Sequence, residues 1–217
     1  MINKIEPVNW HVAWALVTNK YGTLLSYNLP AYHRTYASCK YQGYIIEMLE
    51  TKKYNVFLDV GAYTGLFSQV AAHNCDFVCS YEAHPFFYGI LLHNMKFYKN
   101  VTCKYAYISN KGDIPKIDKD NFMSMVVVKD DNVSYNIPVL TLDEEWDFPH
   151  DLKMLIKLDV EGSELKVLEG SEKLLKNPNV HWIIDVHPPR GVEVEDVKEF
   201  FKGRNITLIG KKVLKIE

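Results

Sequence analysis

The sequence predicts an α/β fold: a mainly parallel, seven-stranded sheet with helices on both faces, completed by a closing antiparallel strand pair. Three observations carry this. Between residues 55 and 188, five short runs (NVFLDV, FVCSYE, VTCKYAYIS, MLIKLDV and HWIIDVH) alternate with segments of helical spacing. Most of these runs are apolar almost throughout, as strands covered on both faces must be. Near the end of the chain, NITLIG and KVLKIE flank Gly210-Lys211 and read as the antiparallel pair.

Taken in order, Trp10, Trp14 and Val17 share one helical face, so an early amphipathic helix is expected. Residues 21–44 hold six tyrosines, at 21, 27, 32, 36, 41 and 44, together with His33 and Arg34, in neither helical nor strand spacing. Ile45, Ile46, Met48 and Leu49 mark a helix before the first core strand. Leu66, Phe67, Val70 and Ala71 form the inner face of the helix after it. Pro85 opens the next helix, since proline fits a first helical turn, and Ile90, Leu91, Met95 and Phe97 follow. Asn110 to Asp113 is a turn. MSMVVV and SYNIPVL are expected to pair as a hairpin around Asp130-Asp131-Asn132, inserted into the core pattern. Leu165, Leu168 and Leu175 line a helix after the fourth strand, and Val194, Val197, Phe200 and Phe201 line the last one. The whole reads as one domain over 1–217, with an N-terminal helical and tyrosine-rich segment at 1–50 and the core at 51–217.

Composition narrows the function classes. The 217 residues carry a formal charge of −2, which argues against broad electrostatic binding of nucleic acid. The mild basic cluster of Lys198, Lys202, Arg204, Lys211, Lys212 and Lys215 reads as a solvated face. Cys39, Cys75, Cys79 and Cys103 make neither a disulfide framework nor a zinc motif at these spacings and read as buried thiols. The opening MINKIEPVNWHVAWALV is a poor leader, and no run approaches the about 18 apolar residues of a membrane span. The cytoplasm is the expected compartment.

The first core strand ends on Asp59 and turns within Gly61-Ala62-Tyr63-Thr64-Gly65 into a helix. Gly61 suits a sharp turn that lets a ligand approach the main chain, and Gly65 suits close packing of the new helix. Glu82 ends the second strand, where an acid accepts hydrogen bonds from ribose hydroxyls. A dinucleotide site wants G-x-G-x-x-G to seat a pyrophosphate on a helix N-terminus. Here the spacing is G-x-x-x-G preceded by an acid, which suits a cationic ligand carrying an ammonium and a sulfonium. That favours S-adenosylmethionine over NAD.

FLDVGAYTG, SYEAHP, NVTCKYAYIS, IPVLTLDEEW, LIKLDVEGSELKVLEGSEKLL and IIDVHP occur in the order of the FkbM family of methyltransferases, which the chain resembles over about residues 41–188. The block around Asp159-Val-Glu-Gly162 is its most specific part. The resemblance implies a Rossmann-like class I methyltransferase fold, S-adenosylmethionine as donor, and O-methylation, often of sugars or polyketide hydroxyls. It implies that Asp59, Gly61, Ala62, Tyr63, Thr64 and Gly65 line the methionine end of the donor. Glu82, with Ala83 beside it, would hold the ribose, and Ala106 and Tyr107 would flank the adenine. The chain departs from the family where Tyr63-Thr64 replace Asn-Ile, where Ala83-His84 stand for proline, and where Asp185 stands for Glu. Gln42, before the helix that feeds the first strand, is a further donor contact.

The chemistry is expected at the ends of the fourth and fifth strands, which open on one rim. His187 has the pKa range of a base, with Asp185 or Asp159 to orient it and Glu161 beside them. His84 is a second candidate base. Asp159, Glu161, Asp185 and His187 would also suit a divalent metal, but no compact ligand motif marks one, so a metal is not favoured. Tyr32, His33 and Tyr36 are the candidate acceptor contacts of an aromatic lid. The expected partner is a small-molecule or glycan acceptor, with neither nucleic acid nor membrane. The alternatives are an NAD-linked oxidoreductase and a non-catalytic nucleoside-binding or assembly module.

Overall fold

The computed structural model describes residues 2–9, 14–27, 40–112, 116–117, 125–126, 137–146, 149 and 151–217; side chains are described at 19–25, 43–112, 137–146, 149 and 151–217. The chain opens with β1 (Ile2–Asn9), β2 (Trp14–Asn19) and β3 (Gly22–Tyr27), an antiparallel meander in the order β1-β2-β3. This corrects the early helix. Trp14 and Leu16 stand opposite Tyr27 and Leu25, an alternation of period two that the helical spacing of Trp10, Trp14 and Val17 obscures. The two-residue turn between β2 and β3 is closed by Asn19 Oδ1, which accepts from the Tyr21 N–H at 2.7 Å.

Helix α1 (Lys40–Thr51) leads into β4 (Tyr54–Val60), α2 (Leu66–Ala72), β5 (Cys75–Glu82), α3 (Pro85–Met95) and β6 (Val101–Tyr105). Short strands β7 (Tyr107–Ile108), β8 (Lys116–Ile117), β9 (Met125–Val126) and β10 (Val139–Leu140) follow, with helix α4 (Leu142–Glu145) capped by a reciprocal Thr141–Glu144 box. The core resumes with β11 (Met154–Leu158), α5 (Glu164–Glu169), α6 (Glu172–Lys176), β12 (Val180–Asp185), α7 (Val194–Glu199), β13 (Ile206–Ile209) and β14 (Val213–Ile216). Seven strands form the main sheet in the order β13-β14-β12-β11-β4-β5-β6. β12, β11, β4, β5 and β6 are parallel, and β14 runs antiparallel to both neighbours. The chain moves outward from β4 to β6, then restarts at β11 on the other side of β4. The order therefore reverses between β4 and β11, where such sheets bind ligands.

Alternation along the strands builds a core on each face. Val56, Leu58 and Val60 join Met154, Ile156, Leu158, Trp182 and Ile184 on one side. Phe57, Leu155 and Ile183 point to the other, against Ile45, Met48, Phe67 and Val70. Each such side chain contributes about 1.5–3 kcal/mol by burial, so two covered faces fix the register firmly.

Four further expectations change. The third strand breaks at Ala106, because β7 leaves the main sheet to pair in parallel with β10. Among the described residues the two segments expected to form a hairpin do not pair with each other: β9 pairs with β8, and β10 with β7. Phe97 lies past the end of α3 and is 82% exposed, so it is no part of that helix's inner face. The helix carrying Leu165, Leu168 and Leu175 is two short helices, α5 and α6. Cys75 and Cys79 are buried, and burial pushes their thiols up to about 12 and about 11. No described helix is long and apolar enough to cross a membrane.

Candidate active site

The turn after β4 is pinned to its neighbours on both sides. The N–H groups of Gly61 and Ala62 both reach the Tyr81 carbonyl, at 3.0 and 2.9 Å, and the Gly65 N–H reaches the Ala62 carbonyl at 2.9 Å. Gly61 (φ 78°) has a reason beyond ligand approach: a Cβ there would lie 1.9 Å from the Asp159 carbonyl oxygen. The loop thus touches the end of β11 directly. Gly65 (φ 91°) packs against Leu91 and Met95 of α3, not against the strand as expected, with a Cβ only 2.8 Å from Leu91 Cδ1. Tyr63 (φ 54°) is the one loop residue with a Cβ in the left-handed region, and its ring lies 4.4 Å from that of Phe87.

Asp59 is wholly buried. Its Oδ2 accepts from the Ser68 hydroxyl at 2.6 Å, and its Oδ1 lies 3.1 Å from the Lys157 ammonium. Lys157 stands directly opposite Asp59 in the pairing of β11 with β4. It also donates to the Gly61 carbonyl at 2.6 Å and lies 3.9 Å from Asp159 Oδ2. Burial would lower its pKa, but Asp59 and Asp159 outweigh that and raise it. The cation that answers Asp59 is therefore the chain's own lysine, which corrects the inference that this acid selects a cationic ligand. The signal was present: Lys157 interrupts an apolar run, MLIKL, as Asp59 interrupts VFLDV.

Glu82 closes β5 with its carboxylate just under the loop. Its Oε2 accepts from the Tyr63 N–H at 2.7 Å and its Oε1 from the His84 N–H at 2.8 Å. Each oxygen keeps a second lone pair, so a pair of vicinal hydroxyls fits, as an adenosine ribose presents. Burial pushes this carboxyl up to about 7, although the two N–H bonds and Lys157 pull it back. Ala83 is half-buried beside it, and the buried Ala106 donates its N–H to the Glu82 carbonyl at 3.2 Å. Tyr107, the other residue expected to flank an adenine, is buried, and its hydroxyl meets Ser163 Oγ at 2.6 Å. Thr64 is buried, and its carbonyl accepts from Asn94 Nδ2 at 2.7 Å. Asn94 also exchanges two bonds with the Leu25 main chain, at 3.0 and 2.8 Å, which ties β3 to the glycine loop.

Beyond the loop, the ends of β11 and β12 bring Asp159, Glu161 and His187 together. His187 Nε2 lies 3.7 Å from Asp159 Oδ1 and 3.6 Å from Glu161 Oε1. Glu161 takes a left-handed backbone (φ 54°), and Gly162 after it packs on Arg190 of the turn following His187. The carboxylate that orients His187 is Glu164, fully buried at the start of α5, whose Oε1 sits 2.7 Å from Nδ1. Sequence reading missed Glu164, which looked like an ordinary acid in a helical first turn, and assigned the role to Asp185 or Asp159. Asp185 instead pairs with Lys212 at 2.7 Å; burial and Asp159 push it up to about 6. Burial would lower His187, but the bond to Glu164 and the charges of Asp159 and Glu161 push it up to about 9. The carboxylates around the ring thus favour a proton on it, which works against the free base expected of it. Burial raises Glu161; His187 pulls it down and Asp159 pushes it up, and the net shift is upward.

His84 caps α3, its Nδ1 accepting from the Phe86 N–H at 3.3 Å, which is a structural duty. Of the tyrosine-rich segment, Tyr21 is engaged away from any lid, donating to Glu50 at 2.6 Å. Tyr32, His33 and Tyr36 lie outside the described residues, as does the side chain of Gln42 on α1.

The profile of the methyltransferase FkbM domain matches residues 59–206, more than half of the chain. Among solved structures, a methyltransferase FkbM from Methylobacillus flagellatus KT is similar with a TM-score of 0.51 and 16% identity, over 76% of this chain and 44% of that one. The chain thus spans less than half the length of that protein, and the likeness is one of fold. A precorrin-6y C5,15-methyltransferase from Geobacter metallireducens GS-15 gives 0.49 and 15% identity over 81% of this chain and 84% of that one. The N-methyltransferase NodS from Bradyrhizobium japonicum WM9, in complex with S-adenosyl-L-homocysteine, gives 0.49 and 11% over 82% and 84%. No curated protein matches the chain.

Proposed function

We propose that this chain, which belongs to the FkbM methyltransferase family and takes its methyl group from S-adenosylmethionine, places that methyl on a hydroxyl oxygen of a neutral, polyhydroxylated acceptor, a sugar of a glycan or of a glycosylated metabolite. The observation that carries this reading is the contact between loop and rim. The Asp159 main chain abuts Gly61, so the acids at the ends of β11 and β12 border the loop below which Glu82 awaits a ribose. The donor supplies an electrophilic methyl on a sulfonium. The chain's own work is to hold the ribose at Glu82 and to set an acceptor oxygen in line, a positioning task that supplies much of such an acceleration.

The character of the rim supports the acceptor class. Asp159 and Glu161 present carboxylates there, which accept hydrogen bonds from neutral hydroxyls. Glu161, partly exposed and with a raised pKa, takes the hydroxyl proton as the oxygen attacks. Asp159 holds the same hydroxyl or its neighbour. The test is turnover of the donor with neutral sugars, hydroxylated polyketides, primary amines and a short RNA, with the methylated atom located by NMR. The expected product is a methyl ether. Methyl transfer to nitrogen or RNA, with none to any hydroxyl, overturns the reading.

A further inference from the structure

We propose that Asp159, Glu161 and His187 form a binding site for one divalent cation of the manganese or magnesium class. The three residues each offer a ligand atom, and these atoms all lie within 4.8 Å of one another. The Nε2 of His187 stands 3.7 Å from Asp159 Oδ1 and 3.6 Å from Glu161 Oε1. These separations are too long for hydrogen bonds. They lie between the separations of two donors on one ion, about 3.0 Å when adjacent and about 4.2 Å when opposite for bonds of about 2.1 Å, so small side-chain rotations bring the three onto one ion.

A second, independent observation comes from behind the imidazole. Glu164 is fully buried, and its Oε1 holds His187 Nδ1 at 2.7 Å while also accepting from the Gly162 N–H at 3.1 Å. Its Oε2 has no hydrogen-bond partner among the described residues. A buried carboxylate on the far ring nitrogen is the support that metal-ligating histidines carry, because it fixes the tautomer and aims the Nε2 lone pair outward. Here Nε2 is aimed between two carboxylates, and an ion that takes that place displaces its proton. The nearby lysines have nearer partners than the cluster: Lys157 lies on Asp59 and the Gly61 carbonyl and only 3.9 Å from Asp159 Oδ2, and Lys212 lies on Asp185. Two carboxylates with one imidazole suit a hard to intermediate ion, and three protein ligands leave positions open in a six-coordinate shell. If the hydroxyl-acceptor reading above holds, those open positions receive acceptor hydroxyls and lower their pKa. The ligands come from two strand ends 26 residues apart at the nearest, so no compact motif announces them.

The experiment titrates the full chain with Mn²⁺ alone, without donor or acceptor, and follows loss of the free-ion electron paramagnetic resonance signal. One ion per chain is expected, displaced by excess Mg²⁺. Pulsed measurements should detect a nitrogen coupled to the bound ion, lost in His187→Gln. Asp159→Asn and Glu161→Gln should each weaken binding at least about 10-fold, and Glu164→Gln, a positioning change, by about 10–100-fold. Glu161 is more exposed than Asp159, so its variant keeps the test valid should Asp159→Asn fail to fold. No binding below millimolar Mn²⁺, no coupled nitrogen, or unchanged affinity in a folded Glu161→Gln overturns the site. Because neither donor nor acceptor is present, a failure to methylate hydroxyls leaves this result untouched, and the reverse also holds.

Discussion

Replacing Lys157 with methionine keeps most of the side-chain stem and removes the ammonium. In the native protein that ammonium lies 3.1 Å from Asp59 Oδ1, 3.9 Å from Asp159 Oδ2, and donates to the Gly61 carbonyl at 2.6 Å. Lys157 is 2% exposed and Asp59 0%, so water does not replace what is lost. At an effective dielectric of about 20, unit charges 3.1 Å apart attract by about 5 kcal/mol. Removing one member of a buried pair costs about 3–5 kcal/mol, because the remaining charge is left without compensation. Asp59 would keep only the Ser68 hydroxyl, and the Gly61 carbonyl would lose its donor. Lys157→Met should therefore lower the unfolding free energy by about 3–5 kcal/mol, a large share of the about 5–15 kcal/mol typical of a domain. Urea unfolding followed by far-ultraviolet circular dichroism, at an unchanged slope, measures this. Adding Asp59→Asn to the variant should restore about 2 kcal/mol or more, since the orphaned charge is gone. A loss below about 1 kcal/mol, or no recovery in the double variant, refutes the pairing as the reason these strands tolerate two internal charges.

Glu82→Ala should weaken donor binding by about 1.5–3 kcal/mol, read by calorimetry against S-adenosylmethionine. Because Glu82 is pushed up to about 7, ribose hydroxyls should meet an ionised partner only as pH rises, so donor affinity should climb from pH 6 to pH 8 and lose that climb in Glu82→Gln. The same shift has a stability sign: the folded state keeps a proton that the unfolded chain has released, so donor-free stability should fall as pH rises between about 4.5 and 7, by up to about 3 kcal/mol, and thermal melts of Glu82→Gln should lack the slope. Gly61→Ala puts a methyl 1.9 Å from the Asp159 carbonyl and should cost more than about 3 kcal/mol, so a wild-type melting temperature would contradict the contact. Asn94→Ala removes three hydrogen bonds, at 2.7, 2.8 and 3.0 Å, and should cost about 2–4 kcal/mol, with faster hydrogen exchange at the Leu25 amide as the specific readout.

Much of the sheet was legible because its causes are local. A strand buried on both faces must be apolar along its length, and a strand that turns sharply into a helix needs glycine at the turn; NVFLDV followed by Gly61 and Gly65 records both. The closing pair of β13 and β14 and the acids at the ends of β4, β5, β11 and β12 were legible for the same reason. The meander was misread because Trp10, Trp14 and Val17 satisfy a helical spacing while Trp14 and Leu16 satisfy a strand's. Propensity does not choose between them; pairing partners do.

What only the tertiary structure decided are the partners. Lys157 and the Gly61 carbonyl are 96 residues apart in sequence, and they meet because β11 docks beside β4 with Lys157 opposite Asp59. Glu164 sits among ordinary helix-start residues until β12 brings His187 Nδ1 within 2.7 Å of it. Side-chain chemistry is written one residue at a time, whereas the charge that answers a buried acid is set by strand register. That register is fixed by the burial of two whole faces at once, which no local window contains.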